Sequence, residues 1–180
     1  YERMMNSIGR FRQAGWDISL HTAGLPAKSR TPEAFAALVR RIDLTFVNDE
    51  IIREIFNFRM PLAAMIEEFR GVLSRIKARG DVVLTLGEFG AVVFRKAGGS
   101  QIEVPALSVD RVDATGAGDA FAGGLVFALQ TPELSDSPTA LAYAVAASCL
   151  KHSIRGDFND STRAEIEALM RGGGSGRVSR

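Results

Sequence analysis

The sequence predicts an α/β fold of three layers, with helices covering both faces of a largely parallel sheet. Three observations predict it. Strand-like and helix-like segments alternate along the chain. Asp81 to Leu86 is β-branched and almost wholly apolar, as a strand covered on both faces has to be. Pro61 to Arg79 sets Leu62, Met65, Ile66, Phe69, Val72, Leu73 and Ile76 at three- and four-residue steps, giving one continuous apolar stripe.

In chain order, Tyr1 to Gln13 is expected to be helical. It starts without a methionine or a cap, as a cut inside a longer protein would. Trp16 to Thr22 reads as a short strand. Thr31-Pro32-Glu33 supplies an N-cap, a proline at the first helical position and an acid in the first turn of a helix carrying Phe35, Leu38, Val39 and Ile42 on one face. Asp43 to Val47 alternates into a second strand, and Asn48 to Phe56 is expected to be helical. The Pro61 to Arg79 helix is expected to stop at Gly80. Ala91 to Phe94 and Gln101 to Val104 flank Ala97-Gly98-Gly99-Ser100 as an antiparallel hairpin. Three helices follow: Asp119 to Leu129, Pro138 to His152 capped by Ser137, and Thr162 to Met170 capped by Ser161. Residues 1–171 are expected to form one domain, with 172–180 as a mobile tail.

Composition narrows the function. The formal net charge is +1 and the cations are scattered, so no basic stripe exists for a nucleic-acid backbone. Cys149, the single cysteine, sits in an apolar run and reads as a small buried hydrophobe. No apolar stretch is long enough to span a bilayer, and a cytoplasmic location is the expectation.

The sharpest chemical signal is Asp113-Ala114-Thr115-Gly116-Ala117-Gly118-Asp119, followed at once by a helix-forming segment. Small residues allow a tight turn into a helix whose first N–H groups lack intrahelical acceptors and can face an anion. Asp119, in the same first turn, would stand beside a phosphoryl group held there. Transfer to an alcohol needs these two things together: donors for the charge on the equatorial oxygens and a carboxylate within reach of the attacking hydroxyl. The helix dipole stabilises negative charge at this carboxylate too, so in a loose transition state orienting the hydroxyl matters more than base strength. The plainer alternative is a helix start with an ordinary capping aspartate. A Gly-x-x-x-x-Gly-Lys-Ser/Thr loop is absent, and the dinucleotide pattern fails because Phe121 fills its third glycine position.

The string from Asp113 to Phe121 closely resembles the signature of the ribokinase-like family of sugar and nucleoside kinases, also called the phosphofructokinase-B type. The resemblance runs from about Trp16 to Asn159 and implies a partial ribokinase-like α/β/α fold. It implies Asp119 as general base and the N–H groups of Gly116, Ala117, Gly118 and Asp119 as the anion hole. ATP and Mg²⁺ follow from it, with a sugar or sugar acid as acceptor. Thr85, Gly87 and Gly90 resemble the family's Thr-x-Gly-x-x-Gly segment, which lies against the nucleotide. Asn48-Asp49-Glu50 resembles its Asn-x-x-Glu magnesium motif, but Ile51 stands where the acid belongs, which leaves Glu50 as the metal-side acid or Asn48 as a simple helix cap. Lys151 to Asn159 resembles the C-terminal stretch of 2-keto-3-deoxygluconate kinases. That match places Asn159 near the adenine, with Asp157 tying down the loop. His152 reads as a helix-end partner and His21 as a polar strand end. Asp113 either joins a site for a monovalent cation such as K⁺ or organises the turn.

The family's glycine-pair motif, most sugar contacts and the small β lid are not recognisable here. The chain alone is therefore expected to bind nucleotide yet transfer little, since lid closure excludes water. An exposed sheet edge and a possible homodimer are further expectations. The competing reading is a nucleotide-binding module without catalysis.

Overall fold

The computed structural model describes residues 1–172, which fall into two compact units. The first comprises residues 1–86 and 92–101; the second comprises residues 87–91 and those from 102 onward. The expected tail lies outside the described residues, apart from Gly172.

The first unit is built on parallel strands β1 (Ser19–His21), β2 (Leu44–Asn48) and β3 (Asp81–Thr85), with β4 (Ala91–Phe94) beside β3. Helices α1 (Glu2–Gln13), α2 (Pro32–Val39), α3 (Asp49–Phe56) and α4 (Leu62–Ile76) join or precede them. The register sets Leu20 opposite Thr45 and Asn48 opposite Thr85. Alternate residues of β3 enter one core, where Val82 and Leu84 meet Phe69, Leu73 and Phe94, while Val83 between them is buried on the opposite face. Burial on both faces explains the strand's unbroken apolar run. A second cluster joins Ile8, Leu25, Leu38 and Ile42 with Leu20 of β1.

Asp43, just before β2, ties this unit together. Two Arg12 guanidinium nitrogens donate to its carboxylate at 2.6 and 2.8 Å, Arg79 Nε donates at 3.2 Å, and the Ile18 N–H donates at 3.0 Å. A forked arginine on a half-buried carboxylate is among the stronger polar contacts available to a protein.

Several boundaries differ from expectation. Helix α4 ends at Lys77, which adopts φ 53°, with the Ala78 N–H donating back to the Leu73 carbonyl at 3.2 Å. Gly80 is required for a different reason: a Cβ there would overlap the Asp43 backbone. Strand β1 is only three residues long, because Ala14, Gly15 and Trp16 turn their N–H groups back onto α1 carbonyls and complete its C-terminal cap. Thr31 does cap α2, accepting from the Ala34 N–H at 3.2 Å.

The second unit is mainly α5 (Ala117–Gln130), α6 (Ser137–Lys151) and α7 (Arg163–Met170); β5 (Gln101–Val104) leads into it. Helix α6 is apolar around most of its circumference and correspondingly buried, from Ala140 through Leu150. Close helix packing is visible at Gly124, where a Cβ would stand 3.0 Å from that of Ala147. Asp136, not Ser137, caps α6 by accepting from the Thr139 N–H at 3.1 Å. Thr162, not Ser161, caps α7 through a reciprocal box with Glu165. Each true cap lies one residue from the expected one, because several adjacent polar residues satisfied the same preference. Cys149 is buried, and burial pushes its thiol up. Among the described residues no helix is long and apolar enough to cross a membrane.

Candidate active site

In the second unit, the chain enters α5 through a turn held from behind. Asp113 accepts the Thr115 N–H at 2.9 Å and the Thr115 hydroxyl at 2.7 Å on one oxygen, and the Gly156 N–H at 2.9 Å on the other. These bonds, the Thr115 N–H foremost, hold the Asp113 carboxyl well below the usual carboxylate range; the charge of Lys151 adds a smaller pull. The aspartate thus joins the turn before α5 to the loop after α6. The same loop is tied to the segment before the turn where the Val112 and Asp113 N–H groups donate to the His152 carbonyl at 2.7 and 3.0 Å.

Gly116 is the N-cap of α5, with φ 76°. A Cβ at this position would overlap the Asp157 carbonyl oxygen and stand 3.0 Å from its carbon. Both the left-handed backbone and the close approach therefore require glycine. The Ala117 N–H turns back on the Ala114 carbonyl at 3.2 Å, and the Ala120 N–H makes the first bond of the helix, to Gly116 at 2.9 Å. Among the described residues neither Gly116 nor Gly118 finds an acceptor for its N–H. The helix begins at Ala117, two residues earlier than expected, so Asp119 is its third residue, with an exposed side chain in the first turn. The Gly116 and Gly118 N–H groups and the Asp119 carboxylate stand on one turn.

A groove of about 530 Å³ in the same unit is lined by Gly87, Glu88, Ser108, Val109, Arg111 and His152, among others. Gly87 takes φ 56° and Gly90 φ 98°, so both glycines meet a conformational need. A Cβ at Gly90 would overlap the Val104 carbonyl, whereas Gly87 has open space in front of it. His152 Nδ1 lies 2.8 Å from the Ser148 carbonyl in the last turn of α6, the helix-end role expected of it. Asn159 spends its amide locally, accepting the Ser161 N–H at 3.0 Å and donating to the Ala147 carbonyl at 3.3 Å. Sequence reading missed Ser108 and Arg111. They lie in an aperiodic stretch between β5 and the glycine turn, and that position was the only signal they carried.

In the first unit, Asn48 and Thr85 are brought side by side at the carboxyl ends of β2 and β3, where open α/β sheets bind ligands. Asn48 caps α3, its Oδ1 accepting the Ile51 N–H at 2.8 Å, and Glu50 is exposed in the first turn of that helix. His21 ends β1, its ring edge-on to Phe46. Among the described residues no three His, Cys, Asp or Glu side chains converge as a metal site.

The profile of the pfkB family carbohydrate kinases matches residues 16–162. The chain belongs to that family. A 2-dehydro-3-deoxygalactonokinase of Haloferax volcanii is 33% identical to this pfkB chain, over 97% of the chain and 55% of the relative. Solved structures share the fold. A Burkholderia thailandensis nucleoside kinase in complex with inosine superposes with a TM-score of 0.72 at 24% identity, over 96% of this chain and 53% of its own. Arabidopsis thaliana ribokinase complexed with ribose and ATP gives 0.71 at 20% identity, over 93% and 51%. The fold is ribokinase-like, and the chain spans about half the length of the relatives it matches.

Proposed function

We propose that the intact protein transfers the γ-phosphoryl group of ATP to a hydroxyl of a sugar acid, with Asp119 as the base. The observation that carries this reading is the turn before α5. Its Asp113 clamp and left-handed Gly116 set the Gly116 and Gly118 N–H groups on the same turn as the Asp119 carboxylate. The Asp119 carboxylate orients the acceptor hydroxyl and takes its proton as the oxygen–phosphorus bond forms and the bond to ADP breaks. Amide donors fixed in place before the reaction offset the charge on the transferring group without having to reorganise. The Ala117 amide contributes to the turn itself, through Ala114.

The residues present fit a nucleotide. Gly87, open in front, and the groove beside it have the size of a ligand pocket. In this reading Gly87 and Gly90 lie along the nucleotide and Asn159 near its base. Magnesium, carried on the ATP phosphates, would neutralise their charge, as this ion usually keeps much of its water and binds few protein groups. A keto-deoxy sugar acid is the proposed acceptor, on the strength of the 33%-identical relative and of Lys151 to Asn159.

The test is Asp119→Asn in the intact protein. We expect kcat to fall about 10²- to 10⁴-fold, the usual scale for a general base. ATP affinity, read by calorimetry, is expected to stay within about twofold, because the anion hole is main chain. Undiminished turnover would remove Asp119 from the mechanism. Nucleotide binding with no turnover in the unmutated protein, across a panel of sugar acids, ribose, fructose and nucleosides, would favour a binding module instead.

A further inference from the structure

Lys151, the last residue of α6, is fully buried, at 0% exposure. Its Nζ donates to the Ile154 carbonyl at 2.9 Å. An ammonium carries three donors, and removing it from water is costly unless nearby negative groups compensate. A leucine or methionine would fill the same space without that cost, so the charge needs a reason. Two sources of negative potential act on it: the negative end of the α6 dipole, at whose last residue it stands, and the Asp113 carboxylate, on which the charge of Lys151 acts in turn.

The contacts form a relay that ends at the anion hole. Lys151 holds the Ile154 carbonyl, and the Ile154 N–H returns to the Lys151 carbonyl at 3.0 Å, which closes the turn after α6. Two residues on, the Gly156 N–H holds Asp113, Asp113 holds Thr115, and the Asp157 carbonyl packs against Gly116.

We propose that Lys151 is a positioning residue: its buried ammonium is a built-in cation that fixes the 152–157 loop and, through Asp113, the turn opening α5, so that this site needs no dissolved monovalent cation. The catalytic part of this inference depends on the kinase reading above; the structural part does not.

The test uses the intact protein and two variants, Lys151→Met, which fills the space without charge, and Lys151→Ala, which leaves room for a small cation. The unmutated protein is expected to melt at the same temperature, and to turn over at the same rate within twofold, in potassium and in a bulky organic-cation buffer. Lys151→Ala is expected to lose at least tenfold in kcat and to recover most of it, with a rise in Tm, when ammonium or methylammonium is added. Lys151→Met is expected to lose as much and recover nothing.

Activation of the unmutated protein by potassium of tenfold or more would overturn the inference. So would a Lys151→Met enzyme within twofold of normal, or a Lys151→Ala protein whose Tm and rate ignore ammonium and methylammonium. If neither variant folds, the cation response of the unmutated protein decides. If the unmutated protein transfers no phosphate, the kinase reading fails and the Tm response still decides this one.

Discussion

Replacing Gly116 with alanine probes the contact on which the glycine turn depends. The residue sits at φ 76°, a conformation that costs an L-residue with a Cβ roughly 1–2 kcal/mol. The new carbon would stand 3.0 Å from the Asp157 carbonyl carbon, and it would overlap the oxygen outright. Ordinary carbon contacts lie at about 3.5–4.0 Å, so the loop has to retreat by at least about half an ångström. Overpacking of this kind adds roughly 1–3 kcal/mol, for a total of about 2–5 kcal/mol against a typical domain stability of about 5–15. Retreat also pulls the Gly156 N–H away from Asp113 and loosens the turn.

Losing one well-placed oxyanion donor costs about 10²–10³ in kcat, and a similar loss is expected here. Urea unfolding and steady-state turnover of the intact protein read the two effects. Gly123→Ala is the control, since a Cβ there meets nothing within 4 Å and alanine favours the helix. Stability within about 0.5 kcal/mol of the parent, together with turnover within twofold, would show that the Asp157 contact is not tight and that the turn is not fixed by it.

Two further outcomes test the frame around this turn. Because the Thr115 and Gly156 bonds lower the Asp113 carboxyl, the folded chain binds that proton less readily than the unfolded one. The clamp's contribution to stability is complete above the ordinary aspartate value of 3.8 and declines as pH falls below it toward the lowered folded value. Denaturant titrations at a series of acid pH values should therefore show a shallower decline for Asp113→Asn, and a slope identical to the parent's would contradict the assignment. Gly80→Ala forces a Cβ into the Asp43 backbone and should cost about 1–3 kcal/mol, read as a lower urea midpoint at unchanged m-value. Gly9→Ala, with nothing nearby, should cost nothing.

Most helices and the parallel strands were legible because their signals are local. The α4 stripe, the β3 apolar run and the Thr31-Pro32 start each reflect an environment that a few neighbouring residues define. What escaped depends on contacts between distant positions. Gly80 reads as a helix stop until Asp43 is seen pressed against it. Trp16 reads as strand until α1's carbonyls are seen to claim the N–H groups there. The glycine turn was the clearest part of the candidate site, since small residues between two aspartates have few other uses. The string left Asp113 between a cation ligand and an organiser of the turn, and only the contacts show it turning inward to Thr115 and Gly156 while Asp119 stays exposed. Lys151 was hidden most completely. A lysine closing a helix ordinarily points to water, and only the fold around it reveals that this one does not.

Phe94 lies within 5.5 Å of Phe69, edge to face and almost wholly inaccessible, yet it follows a five-residue excursion of the chain into the other unit. A nascent chain released as far as Leu86 would therefore carry α4 with an unfilled hole beside Phe69. Interior closure of the leading half has to wait for the hairpin strand to be synthesised, and any excision meant to isolate that half would have to carry residues 92–101 with it.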